Sequence, residues 1–181
     1  MNFARVLEQV ADHLSSRGHR FAVVGALALH AYGITRATAD LDLVVEQQAQ
    51  PDLLSFLDRL GYEQLHVSAS FSNHVHRLGS LGRLDFIYVD EATATRLFAE
   101  AREVALFPGL RVRVPKPEHL AAMKVLAMKN DPSRSLKELA DIQLLMDVPE
   151  IDLQFVRAQF KRHGLEARFD ELAEARDQQR R

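Results

Sequence analysis

The chain has 181 residues, 47% of them hydrophobic, enough for one domain, or one domain with a small appendage, around a real core. It has no cysteine, which excludes a disulfide framework, a thiolate zinc site and a cysteine nucleophile. Charged residues make up 27% and the formal net charge is −2, so the chain is neither compositionally disordered nor basic overall in the manner of a dedicated nucleic-acid binder.

In chain order, residues 2–17 read as an amphipathic helix, with Phe3, Val6, Leu7, Val10 and Leu14 at helical spacing and Gly18 as the stop. Glu8 and Asp12 interrupt what would have to be an unbroken apolar stretch in a signal peptide. No apolar run approaches the roughly 20 residues that span a bilayer, so a cytoplasmic protein with no membrane partner is expected. Residues 21–24 read as a buried strand, and 26–32 as a short helix between Gly25 and Gly33. A strand is expected over 41–46 and a helix over 51–60, with Pro51 in its first turn. Strands over 62–67, 71–78 and 84–89 follow, then a helix over 91–101 and a hairpin over 103–107 and 110–114. From Glu118 onward the pattern is helical, over about 118–129, 134–146, 152–163 and 166–178. The terminal DELAEARDQQRR reads as a solvated helix end or a frayed tail. The fold class is therefore α+β: a mixed sheet with flanking helices over residues 1–115, followed by a helical subdomain over 116–181.

Asp40 and Asp42 carry the first chemical signal. Two residues apart on a strand, their side chains point to one face, while Leu41, Leu43 and Val45 point to the other. At about 3.3 Å per residue their Cα atoms lie roughly 6.5 Å apart, close enough to converge on one hard cation. Such a pair repels itself unless a cation or a basic group offsets the cost, although D-x-D also occurs at ordinary strand ends. Asp85 is the second signal, because a carboxylate flanked by Leu84, Phe86 and Ile87 is costly to bury unpaired. It is either a structural ion pair with Arg83 or Arg36, or a third metal ligand beside Asp40 and Asp42. Three carboxylates on adjacent strands make a two-metal site suited to phosphoryl or nucleotidyl transfer. Gly25, between a strand and a helix, places free backbone N–H groups where a phosphate could sit.

The succession of strand, Gly-containing turn, short helix, Gly33, Arg36-x-Thr38-x-Asp40-x-Asp42 and a later strand Asp85 resembles the nucleotidyltransferase superfamily of the DNA polymerase beta type. More narrowly it resembles the AbiEii/AbiGii-type nucleotidyltransferases, many of them toxins of bacterial toxin–antitoxin systems. The likeness covers roughly residues 20–146, including Val114–Lys124 and Lys137–Ile142. It implies that Gly25 and Ala26 cradle the triphosphate of an NTP. Asp40, Asp42 and Asp85 would hold two Mg2+ ions, with Asp85 also the base for the incoming hydroxyl. Arg36 and Thr38 would brace the nucleotide loop, Lys124 would contact the triphosphate, and Asp141 would orient Lys124 or the nucleotide. It further implies transfer of an NMP to an RNA such as tRNA, or to a protein side chain, and an antitoxin partner. A small-molecule acceptor of the antibiotic kind and a non-catalytic nucleotide- or RNA-binding module are the alternatives. The family usually has Gly-Gly or Gly-Ser at the turn; Gly25-Ala26 keeps the backbone N–H and offers no hydroxyl.

Without that likeness, Lys124 sits among Leu120, Ala121, Ala127 and Met128 on a helix. It either snorkels its ammonium to water or pairs with Asp141, which has Leu144 and Leu145 on its own face. Residues 40–63 hold six acids and one base, and 111–137 hold seven bases and two acids, a contrast that suits a metal–triphosphate and a polyanionic acceptor. His74 and His76 share a strand face and are expected at the surface; His30 and His119 read as packing or hydrogen-bonding residues. The phosphate-loop G-x-x-x-x-G-K-[ST] and the hydrolase G-x-S-x-G are absent.

Overall fold

In the computed structural model, which describes residues 1–179, the chain divides into two units, Met1–Pro115 and Lys116–Arg181. The first opens with α1 (Phe3–Ser16), which buries Val6, Leu7, Val10, Ala11 and Leu14 and is capped by Asn2, whose side-chain oxygen accepts from the Arg5 amide at 3.2 Å. β1 (Phe21–Val23) turns through Val24 into α2 (Gly25–His30), which buries Leu27, Ala28 and Leu29. β2 (Asp40–Glu46) is followed by α3 (Gln50–Arg59), which buries Leu53 and Leu57. β3 (Glu63–Val67) and β4 (Phe71–Val75) form a hairpin, β5 (Arg83–Val89) follows, and α4 (Glu91–Glu100) starts at Asp90, which accepts from the Thr93 amide at 2.7 Å. β6 (Arg102–Phe107) and β7 (Leu110–Val114) make a separate two-stranded sheet, with β7 beside β1.

The five-stranded sheet runs β1-β2-β5-β4-β3. β5 lies parallel to β2 and antiparallel to β4; the other neighbours are antiparallel. A parallel neighbour requires a long crossover, and α3 with the β3–β4 hairpin provides it. Leu41, Leu43, Leu84 and Phe86 are fully buried on one sheet face. Each is worth roughly 1.5–3 kcal/mol of burial, so a one-residue slip that turned them outward would cost several kcal/mol. The apolar face thus sets the register, and the register sets where the alternate residues Asp42 and Asp85 stand.

Two expectations are corrected by β4. The strand expected over 71–78 stops at Val75: the His76 amide still donates to the Gly82 carbonyl at 2.9 Å, and the chain then turns, with the Leu81 amide donating to the Leu78 carbonyl at 2.9 Å. His74 is not at the surface: it is fully buried on the core face, its Nε2 2.9 Å from the Ser72 hydroxyl, which lies 2.8 Å from the Tyr88 hydroxyl. Burial holds His74 below its ordinary value, with Asp85 pulling the other way, so the ring is neutral near pH 7. His76 leaves the sheet and packs edge-on against Tyr62. His30 Nε2 lies 3.1 Å from the Arg36 carbonyl, and His119 stacks edge-on with Phe155.

The second unit is α5 (Pro117–Asn130), α6 (Ser135–Met146), α7 (Leu153–Arg162) and α8 (Glu166–Gln179). α5 packs on α6 and α7, and α8 packs on α6 and α7. Leu120, Ala121, Val125, Ile142, Leu145, Val156 and Phe160 form its core. α8 contributes Phe169 and Leu172, with the Phe160 and Phe169 rings 5.6 Å apart. The C-terminal stretch is helical to Gln179, and Arg180 and Arg181 lie outside the described residues. No helix among the described residues is long and apolar enough to cross a membrane.

Candidate active site

The parallel pairing of β2 with β5 puts Asp42 opposite Asp85 and Asp40 opposite Arg83. One oxygen each from Asp40, Asp42 and Asp85 lie within 4.8 Å of one another. Oxygens on opposite sides of a hard cation lie about 4–5 Å apart, twice the 2.0–2.6 Å metal–oxygen distance, so the spread fits one cation with side-chain shifts of a few tenths of an ångström. The donor set is all carboxylate, the chemistry of magnesium, manganese or calcium rather than of softer metals.

Gly25 fits the same arrangement. Its φ is +63°, and a Cβ there would stand 2.0 Å from Asp42 Oδ2 and 2.6 Å from its Cγ. Only glycine lets the β1–α2 turn lie this close to the carboxylate without strain. The turn is tied to the same strand by the Val24 amide, which donates to the Asp42 carbonyl at 3.0 Å. Ala26 is the second residue of α2.

Each edge of the cluster is held by a donor. The Thr38 hydroxyl donates to Asp40 Oδ1 at 2.5 Å, and the Asp40 amide returns a 3.4 Å contact to the same hydroxyl. The Arg36 amide lies 3.2 Å from His30 Nε2, which ties the loop before Thr38 to α2. Asp85, 12% exposed, receives Arg83 Nε at 2.9 Å and Asn73 Nδ2 at 2.7 Å. The hydrogen bond to Asp85, with the nearby charges of Asp85, Asp40 and Asp42, raises Arg83 above its ordinary value against the cost of burial. Asp85 is therefore paired with Arg83, as one of its two readings has it, and it also stands in the carboxylate cluster. Asn73 was not among the residues singled out from the sequence. Nothing local marks it, since it becomes a neighbour of Asp85 only through the β4–β5 register.

In the second unit Lys124 does not release its ammonium to water. Its Nζ donates to Asp141 at 2.5 Å and to Glu138 at 2.9 Å, and all three side chains are buried or nearly so. Arg134 holds the other Glu138 oxygen at 2.6 Å. Burial works against the Glu138 charge, but Lys124 and Arg134 outweigh it and keep the carboxyl below its ordinary value. Glu138 and Arg134 were also missed: in the stretch SRSLKELAD both look like solvated helix charges.

The fold is shared with known transferases. The solution structure of the antibiotic-resistance factor ANT(2'')-Ia is similar at 16% identity and a TM-score of 0.66, over 99% of this chain and 98% of that one. The lincosamide antibiotic adenylyltransferase LnuA, bound to lincomycin, is similar at 13% identity and a TM-score of 0.57, over 80% of this chain and 96% of that one. A Thermotoga maritima protein assigned as a nucleotidyltransferase gives 14% and 0.56, over 77% and 92%. At such identities the likeness is one of fold. No curated protein sequence matches the chain. The model of a family described as "Nucleotidyl transferase AbiEii toxin, Type IV TA system" matches residues 6–181. With that match over nearly its whole length, the chain belongs to the AbiEii nucleotidyltransferase toxin family and is a transferase of that kind.

Proposed function

We propose that the chain transfers a nucleoside monophosphate from an NTP to a hydroxyl of an RNA, tRNA foremost, with Mg2+ held by Asp40, Asp42 and Asp85. The observation that carries this reading is the convergence of three carboxylates at the β2–β5 register. When bound, two Mg2+ ions supply charge neutralisation of the triphosphate and a lowered pKa for the attacking hydroxyl. Asp85 takes the acceptor's proton, the acceptor oxygen bonds the α-phosphorus, and the bond to the leaving pyrophosphate breaks. Thr38 holds Asp40 in its ligating rotamer, and Arg36 braces the loop that carries Thr38. The backbone at Gly25 and Ala26 receives phosphate, with no hydroxyl from residue 26. Lys124 is the cationic contact for the triphosphate, in the orientation Asp141 imposes.

RNA is favoured as acceptor by the basic balance of residues 111–137 and by the toxin family. An antitoxin partner and a cytoplasmic site of action belong to the same reading. A second reading, adenylylation of a small antibiotic-like molecule, is favoured by the end-to-end likeness to ANT(2'')-Ia. The test offers each α-labelled NTP with Mg2+ to total tRNA, to aminoglycosides and lincosamides, and to the protein alone, beside an Asp40→Asn/Asp42→Asn control. Label on RNA with the wild-type chain alone is the expected result. Label on the antibiotics alone moves the acceptor to the second reading, and label on protein replaces RNA as target. Label nowhere refutes nucleotidyl transfer to all three classes.

A further inference from the structure

The Asp85 carboxylate is not held symmetrically. Asn73 Nδ2 at 2.7 Å and Arg83 Nε at 2.9 Å both bond Oδ1, and no donor among the described residues is bonded to Oδ2. A carboxylate oxygen offers about two lone-pair positions, so Oδ1 is filled and Oδ2 keeps its own. The terminal torsion of an aspartate is broad and roughly two-fold, so a free carboxylate swings between orientations. Two donors from different strands remove that freedom.

We infer that Asn73 is a positioning residue, which with Arg83 clamps Oδ1 of Asp85 and reserves Oδ2 for the metal cation and the acceptor's proton. The chemistry of the residue suits the task. A second arginine or lysine at 73 would put another positive charge where a cation must bind, and an aspartate would add to the repulsion. A neutral amide orients the carboxylate and leaves its charge in place. Asn73 is 7% exposed and directly opposite Asp85, so it approaches from the sheet itself and leaves the open side of the cluster clear. Its neighbours Ser72 and His74 point to the core face, which leaves Asn73 as the β4 residue in register with Asp85.

The inference rests on the cluster holding a divalent cation. The test therefore measures Mn2+ binding to the purified full chain, by the fall of the free-ion paramagnetic resonance signal. The wild type is compared with Asp42→Asn, Asn73→Leu and Asn73→Ser, and thermal unfolding is run in chelator. Leucine keeps the volume without a donor; serine is small enough to fold there and too short to reach Oδ1. Both Asn73 variants should bind Mn2+ at least ~10-fold more weakly, the scale on which groups that orient metal ligands act. Their metal-free unfolding temperatures should stay within about 2 °C of wild type for Ser. The kcat for transfer should fall by a similar factor, with the KM for NTP within about threefold. If the wild type binds Mn2+ and the serine variant binds it within twofold as tightly, the clamp is refuted and the metal site stands. If the wild type and Asp42→Asn are equally unable to bind Mn2+, the metal-site reading itself fails, and the clamp with it.

Discussion

The sharpest consequence of the geometry concerns Gly25→Ala. Two separate costs are involved. The first is the backbone: at φ +63° an L side chain costs about 1–2 kcal/mol. The second is local: the new Cβ would lie 2.0 Å from Asp42 Oδ2, where ordinary contact begins at 3.4 Å, so the carboxylate must retreat by more than 1 Å. A misplacement of about 1 Å in a reacting constellation is worth roughly 100-fold in rate. Gly33→Ala is the matched control, because φ there is +76° and nothing lies within 4 Å of the new Cβ. Both variants should lower the unfolding temperature by a few degrees, at about 2–4 °C per kcal/mol for a chain of this size. Only Gly25→Ala should lose Mn2+ affinity and at least ~100-fold in transfer. Thermal unfolding, Mn2+ titration and single-turnover transfer on the two variants side by side decide it. Equal activity in the two would show that the close approach of the turn to Asp42 has no functional consequence.

Lys124→Met strands Glu138 and Asp141, both buried, and is expected to cost ~3 kcal/mol in urea unfolding; Lys124→Met/Glu138→Gln should recover part of that loss. A Lys124→Met chain as stable as wild type would show that the ammonium does not hold α5 to α6. At the other end of β2 from Asp40, Glu46 is 2% exposed and accepts from Arg20 Nε at 2.8 Å, the Arg20 amide at 3.1 Å and His19 Nδ1 within 3.2 Å. Burial favours its neutral form, yet the hydrogen bonds, from Arg20 first, hold it at about 2 against an ordinary 4.5, worth about 3 kcal/mol. A depressed carboxyl stabilises above pH 4.5 and loses that contribution as pH falls toward 2. Arg20→Met should therefore be destabilised at pH 7, with the gap to wild type narrowing by pH 3; a gap independent of pH would contradict the assignment.

How far the site could be read before the fold was known follows from which contacts are local. Asp40 and Asp42 share a face by strand alternation alone, and Asp85 stood out as a charge inside an apolar run. Their convergence needed only one further fact, that β5 enters the sheet beside β2. Asn73 was invisible because its partner is 12 residues away on another strand, and a polar residue in FSNHV reads as solvent-facing. His74 was misread for the same reason. Its strand looks amphipathic with a polar face outward, but that face meets Phe86 and Tyr88, where Ser72, His74 Nε2 and Tyr88 bond one another and His74 Nδ1 is left buried without a hydrogen bond. Asp141 could be matched to Lys124 because a buried ammonium between helices demands an acid. Glu138, three residues earlier, looked like one more solvated charge.

The two charged clusters show how the same residue types are used to different ends. In the second unit two buried carboxylates, Glu138 and Asp141, meet two cations, Lys124 and Arg134, and the charges close. Such an arrangement resists losing any member. In the first unit three carboxylates are brought together by the register of a sheet whose apolar face would not tolerate a slip. Two of the groups that hold them, Thr38 and Asn73, are neutral donors. A neutral donor fixes the direction of a carboxylate without cancelling its charge. The repulsion among Asp40, Asp42 and Asp85 is thus oriented and only partly offset by Arg83, and under the proposed function a divalent cation would relieve the rest. A fold selected for stability alone would close the charges as the helical unit does; a carboxylate cluster left with excess negative charge and held in place by the register of the sheet is what the proposed cation and polyphosphate would require.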